Sequence, residues 1–78
     1  MKTIATSKKI MAQSESAILA AVNATYCARV VRTARVDSKG DRDIAIISSH
    51  DAEYVRGEVL HIMKVMGRAH LFNLIDWL

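Results

Sequence analysis

The sequence predicts a small α+β protein, a two-layer sandwich in which helices cover one face of a sheet. Two β-branched runs lie on either side of the DSKGD motif between Tyr26 and Ser49, a pattern typical of a β-hairpin. The segment that follows repeats apolar side chains at helical spacing, at Val55, Val59, Ile62 and Met66. Mixed strand and helix signals in one short chain predict layered α+β packing.

The first elements are a weak strand and a helix. Residues 2–6 have few apolar side chains, which makes them a poor central strand. Residues 8–24 carry apolar side chains on one helical face, and Ser7 suits the position that caps the start of this helix. Ser14 and Ser16 are alternative starting points.

Residues 26–36 fit a strand or a helix, because their arginines also recur every three residues. The valines, and the turn that follows them, favour a strand. Gly40 suits the left-handed position of a short hairpin loop, and Asp37 suits its start. Residues 42–48 form a continuous apolar run, typical of a strand that is central in its sheet or covered on both faces.

The second helix is expected to begin near Ser48, Ser49 or Asp51 and to end before Gly67, which suits a C-cap. Gly57 weakens this helix by about 1 kcal/mol relative to alanine, or lets another backbone approach closely. Residues 68–78, called here the C-terminal segment, read as a strand or as a short helix. As a strand, this segment would place four residues on one face, namely Leu71, Asn73, Ile75 and Trp77.

The elements predict one domain over residues 1–78 with the order βαββαβ, the split arrangement of a ferredoxin-like sandwich. In that topology the second strand lies at an edge of the sheet and the third near its centre. The alternative is an αββα unit that dimerises through its sheet or its C-terminal segment.

Positive charge is concentrated in the first half of the chain. Residues 1–36 hold six lysines and arginines against one acid, a balance of +5, and residues 37–78 hold five against seven, a balance of −2. A basic half favours an acidic or phosphate-lined partner, although edge-strand charges also prevent aggregation. We expect the partner-binding residues to be those of the hairpin: Arg29, Arg32, Arg35, Lys39 and Arg42.

The chain has no motif that predicts an enzyme, a metal site or a cofactor. Glu58 and His61 make a single Glu-x-x-His step, whereas a di-iron site needs two such steps and further carboxylates. Turn chemistry accounts for the aspartates around the hairpin loop. Cys27 has no base assigned by local sequence, so we expect a structural cysteine.

The C-terminal segment is rich in apolar side chains, which predicts either core packing or self-association. The residues expected to self-associate, as a homodimer, are Phe72, Leu74, Trp77 and Leu78. A lone cysteine fits a reducing compartment, and residues 17–22, the longest apolar stretch, are too short to span a bilayer. The expected location is therefore the cytoplasm.

With 78 residues and no catalytic motif, the chain resembles accessory inhibitors made by phages and mobile elements, such as anti-CRISPR proteins. The resemblance comes from size and the lack of catalytic motifs, and no residue motif carries it, so no functional residue is transferred. Many such inhibitors are acidic mimics of DNA, a mode from which this basic chain departs. The resemblance implies that the chain blocks a protein or nucleoprotein surface.

We therefore expect a non-enzymatic binding protein that inhibits or bridges a larger protein or nucleoprotein complex by surface occlusion. The alternative is a small nucleic-acid-binding module that uses the basic hairpin directly. Nucleic-acid sheets usually add aromatic stacking residues, and this hairpin offers only Tyr26, at its edge. Binding to free nucleic acid with a steep salt dependence distinguishes the alternative.

Overall fold

A computed structural model describes residues 1–36 and 38–78, with the side chains of all of these except 9 and 33–36. The elements in chain order are β1 Lys2–Ile10, α1 Ala12–Ala24, β2 Arg29–Val36, β3 Arg42–Ser48, α2 Ala52–Val65, a 3₁₀ helix Ala69–Leu74 and β4 Asp76–Trp77.

The four strands form one antiparallel sheet in the order β2-β3-β1-β4. This order places β2 at one edge and β3 inside the sheet, as the sequence predicts. Both helices pack on the same face of the sheet and share one hydrophobic core with it. The fold is therefore the predicted α+β sandwich, consistent with a βαββαβ ferredoxin-like arrangement.

The apolar run of β3 is covered on one face and not on both. Burial alternates along the strand, with Ile44, Ile46 and Ser48 buried and the residues between them only half-buried. Ile46 belongs to a row of neighbours that crosses the sheet through Val30, Ala5 and Trp77, on the side of the helices. The other face of the sheet has no helix over it among the described residues.

β1 is longer than predicted and takes residues that we assigned to the helix. Residues 8–10 extend the strand, and α1 begins after Met11 at Ala12. Ser7 does not cap the helix; it is buried in β1, and its hydroxyl donates a hydrogen bond to the carbonyl of Leu74. A register shift between Thr3 and Ala5 allows the strand to bury both Ile4 and Ala5.

α2 begins after Asp51, one of the three predicted positions, although the Asp51 side chain makes no capping hydrogen bond. The helix ends in a Schellman motif: Gly67, at a φ of 71°, donates to the carbonyl of Lys64, and Arg68 donates to that of Met63. Gly67 is thus the predicted C-cap residue.

In α2 the structure differs from the prediction at Met66, and it excludes one of the two interpretations of Gly57. Met63 is buried in the core, whereas Met66, which we placed on the buried stripe, is 40% exposed just beyond the helix. Gly57 does not admit another backbone, because a Cβ atom built there meets nothing within 4 Å.

The hairpin and the C-terminal segment complete the sheet. Gly40 has a φ of 83°, the left-handed conformation predicted for the hairpin loop, and Asp37 lies outside the described residues. The C-terminal segment is neither a full strand nor only a helix, because a 3₁₀ helix precedes the two-residue strand β4. It is anchored by Leu71 and Ile75, which are buried in the core.

Candidate interaction surface

Arg29 and Arg32 of β2 lie on opposite faces of the sheet. Arg29 lies opposite Ile47, in a row on the face that the helices leave open, and it is exposed. Arg32 lies opposite Ile44, whose side chain is buried under the helices. Successive side chains of a strand alternate between the two faces of a sheet, so two arginines three positions apart lie on different faces. They share the exposed edge of β2, because in the described part of the chain this strand pairs with β3 alone.

Arg32 also has a partner inside the molecule. Its Nε donates a hydrogen bond to Oε1 of Glu15, in the first turn of α1, and the two groups form a salt bridge. The Glu15 side chain is 11% exposed and that of Arg32 is 46% exposed. Arg32 therefore joins the edge strand to α1 and still presents about half of its surface to solvent.

The other predicted binding residues follow the hairpin. Lys39 is exposed in the turn and has an interaction of its own. Arg42 is half-buried and lies opposite the buried Ile10, on the side of the helices. The side chain of Arg35 is outside the described residues. Among the predicted residues whose side chains are described, Arg29 and Arg32 flank the edge of β2, Lys39 lies in the turn and Arg42 lies on β3, so these four do not form one flat basic face.

Tyr26, just before β2, has the two most unusual features of this region. Its side chain is 95% exposed, and its φ is 59°, a left-handed conformation that costs a bulky residue free energy. The sequence shows Tyr26 at the edge of the hairpin but gives no sign of this conformation, because asparagine and glycine are the usual residues there. A tyrosine held at that cost without packing is a candidate contact residue.

A short network holds the chain between α1 and β2 in place. The Ser48 hydroxyl donates to the carbonyl of Cys27 at 2.5 Å and accepts from the backbone N–H of His50 at 2.9 Å. Thr25 ends α1 by donating its hydroxyl to the carbonyl of Val22 at 2.6 Å. Tyr26 lies between these two anchored points, so its position at the start of the edge strand is defined by hydrogen bonds on both sides.

The four residues expected to self-associate divide into packed and exposed pairs. Phe72 and Trp77 pack against the core with ring centroids 5.7 Å apart, and the guanidinium of Arg56 lies 5.8 Å from the centre of the Phe72 ring. Leu74 and Leu78 are 42% and 74% exposed. Two of the four predicted residues are therefore partly buried against the core, and the other two are exposed.

A groove of about 360 Å³ lies beside β4 and is lined by Ala52, Glu53, Arg56, Trp77 and Leu78. The Trp77 indole Nε1 is buried, and no hydrogen-bond partner for it is found among the described residues.

Three residues with side chains of metal-binding or nucleophilic type lie on α2 and just before β2. His61 is exposed and Glu58 half-buried on α2, and the described residues contain no cluster of three potential metal ligands. Cys27 is half-buried against the core. Within residues 1–36 and 38–78, the structure has no helix of the length and apolar character that crossing a membrane requires.

Comparison of the chain with protein-family models, with curated proteins and with solved structures finds no match in any of the three.

Proposed function

We propose that the chain is a non-enzymatic binding protein that inhibits or bridges a larger protein or nucleoprotein complex by covering part of its surface. The contact surface is the edge of β2 with the tip of the hairpin, and the partner presents an acidic or phosphate-lined surface to it. This is the mode of action implied by the resemblance to anti-CRISPR inhibitors.

One observation supports this proposal above the others: Arg29 and Arg32 flank the exposed edge of β2 from opposite faces, with Tyr26 projecting at its start. A partner that lies along the edge meets both guanidinium groups, whereas a partner lying flat on either face of the sheet meets only one. Tyrosine and arginine are among the residue types enriched where binding energy is concentrated in protein interfaces. Arginine also binds carboxylate and phosphate groups in bidentate geometry.

The alternative function, direct binding of single-stranded nucleic acid, is favoured by one specific observation. Tyr26 is 95% exposed three residues before Arg29, so a base could stack on its ring while the guanidinium contacts a phosphate. The nearby acids Asp41 and Asp43 weaken the positive potential at the other end of the hairpin. A protein or nucleoprotein surface is therefore the better-supported partner.

The test compares the wild-type chain with an Arg29→Gln, Arg32→Gln, Arg35→Gln variant in capture from a host lysate, with and without nuclease. We expect the wild-type chain to retain one defined complex after nuclease treatment and the variant to lose it. Because Arg32 also pairs with Glu15, a second variant, Tyr26→Asn with Arg29→Gln, changes only exposed side chains. It should weaken capture about 10-fold or more.

The control for the triple arginine variant is Lys2→Gln, Lys64→Gln, Arg68→Gln. It removes the same number of positive charges from exposed positions outside the hairpin. This control should bind like the wild-type chain. Retained capture by a folded Tyr26/Arg29 variant would remove the edge of β2 from the site. Direct binding of free oligonucleotides, with an affinity that falls steeply as salt rises, would favour the nucleic-acid alternative.

A further inference from the structure

The face of the sheet opposite the helices carries a band of apolar and threonine side chains. Its central row crosses all four strands, from Val31 through Ala45 and Thr6 to Asp76. The next row runs from Arg29 through Ile47 to Thr3. Val31 is 43% exposed, and Ala45 and Ile47 are half-buried by their sheet neighbours alone. Nothing among the described residues packs over this band.

The charges on this face have opposite signs at its two edges. Arg29 lies on β2 at one edge, and Asp76 lies on β4 at the other; both side chains are exposed. The inner strands add one charge each beyond these rows: Asp43 on β3, which has an interaction of its own, and Lys8 on β1, two residues after Thr6 and exposed. Three strand spacings separate β2 from β4, a distance of about 14 Å. The two edges of the face therefore carry charges of opposite sign, and the two rows between Arg29 and Asp76 consist of apolar and threonine side chains.

This distribution of charge is self-complementary. When two such faces stack about a two-fold axis parallel to the strands, β2 of each copy lies over β4 of the other. Arg29 then faces the Asp76 of the second copy, displaced by one row of the sheet, or about 7 Å along the strand, which an arginine side chain spans. The apolar rows meet in the middle, as in the core of a β-sandwich, where facing sheets lie about 10 Å apart.

We infer that the open face binds a second copy of this chain, forming a symmetric dimer with two stacked sheets inside and the helices outside. The available area agrees with this arrangement. The molecule measures 34 × 28 Å across its broad face, and a standard interface buries about 800 Å² on each partner. The surface is therefore large enough for a dimer without any contribution from the C-terminal segment.

The inference is tested on the purified chain alone, so its outcome is independent of the proposed partner at the edge of β2. Sedimentation velocity over about 5 to 500 μM should show a species of twice the 8.7 kDa of one chain, with a concentration dependence that yields the dimer dissociation constant. Val31→Asp should weaken this dimer about 10-fold or more, because it buries a charge in the apolar band.

The matched control is Val65→Asp, the same substitution at a 73% exposed position in the helical layer, which should leave the dissociation constant within about twofold of wild type. Circular dichroism checks that both variants fold.

A charge exchange provides the second test and changes only exposed side chains. Arg29→Asp alone should weaken the dimer about 10-fold, because it sets two acids against each other at both ends of the interface. Arg29→Asp combined with Asp76→Arg should restore most of the affinity. A wild-type chain that stays monomeric throughout the concentration range overturns the inference and leaves the face for a partner of other chemistry. A dimer that is insensitive to Val31→Asp and to the charge exchange also overturns it, and places self-association on another surface, such as Leu74 and Leu78.

Discussion

The guanidinium of Arg32 in the edge strand donates a hydrogen bond to the carboxylate of Glu15 in the first turn of α1. This ion pair joins α1 and β2 through two residues that are 17 positions apart in the chain. Glu15 is nearly enclosed, and Arg32 is about half exposed. One of the arginines predicted to bind a partner therefore also stabilises the fold, while Arg29, three residues earlier, is exposed on the other face.

The two arginines should respond differently to the same substitution. Arg32→Gln leaves an enclosed carboxylate without its cation and should lower the free energy of unfolding by about 1 to 2 kcal/mol, between the values for exposed and buried pairs. Arg29→Gln should change it by less than about 0.5 kcal/mol. Urea unfolding followed by the fluorescence of Trp77 measures both. If Arg32→Gln lowered the free energy of unfolding by less than about 0.5 kcal/mol, the Arg32–Glu15 pair would contribute little to stability.

The parts of the fold that depend on local signals were predictable from the sequence. The hairpin was marked by β-branched residues and by Gly40, and α2 by its apolar period and by Gly67. β1 was predicted too short because two consecutive lysines, Lys8 and Lys9, interrupt the alternation of apolar and polar residues that is typical of a strand. Ser7 lies in β1 and donates a hydrogen bond to the carbonyl of Leu74, which is 67 positions away in the chain. No local pattern indicates a contact at that separation.

The sequence indicates which residues belong to the candidate surface, but not how their side chains are arranged in space. Strand alternation separates Arg29 from Arg32, but the carboxylate that holds Arg32 belongs to α1, and its position depends on how α1 packs on the sheet. The exposed tyrosine beside them was visible in the sequence, whereas its left-handed backbone was not. The open face, in turn, follows from strand order, which sets Arg29 and Asp76 at opposite edges of the sheet.

The two helix glycines should give effects of opposite sign with alanine. A Cβ atom meets nothing within 4 Å at Gly57 or at Gly67, so only the backbone decides the outcome. Gly57→Ala, inside α2, should stabilise the protein by about 1 kcal/mol. Gly67→Ala, at a φ of 71°, should destabilise it by about 1 to 2 kcal/mol. Thermal unfolding of the two variants checks the prediction, and a destabilising Gly57→Ala would contradict it.

Tyr26 should show a trade-off between stability and binding. Tyr26→Asn places a residue that tolerates the left-handed conformation at a φ of 59°, and it should raise the free energy of unfolding by up to about 1 kcal/mol. The same variant removes the exposed ring and should weaken partner capture. Tyr26→Phe serves as the control, since it keeps both the ring and the strain. If Tyr26→Asn bound the partner normally, the tyrosine would have no role in binding.

The attachment of the C-terminal segment should depend on Ser7. The Ser7 hydroxyl is the donor to the Leu74 carbonyl, next to the buried Ile75, and the backbone N–H of Leu78 donates to the carbonyl of Ile4 at 3.0 Å. Ser7→Ala removes the first of these bonds and leaves a carbonyl unpaired, which costs about 1 to 3 kcal/mol. Because β4 has only two residues, we expect most of this loss to appear as local opening of residues 74–78. Hydrogen exchange measures it: the amides of this segment should exchange about 10-fold faster in the variant, while those of α2 change less.

The control is Thr25→Ala, which also removes a hydroxyl bonded to a carbonyl, but at the end of α1. It should leave the exchange of residues 74–78 unchanged. Uniform acceleration across the whole chain would mean that Ser7 supports the core as a unit and not the C-terminal segment in particular.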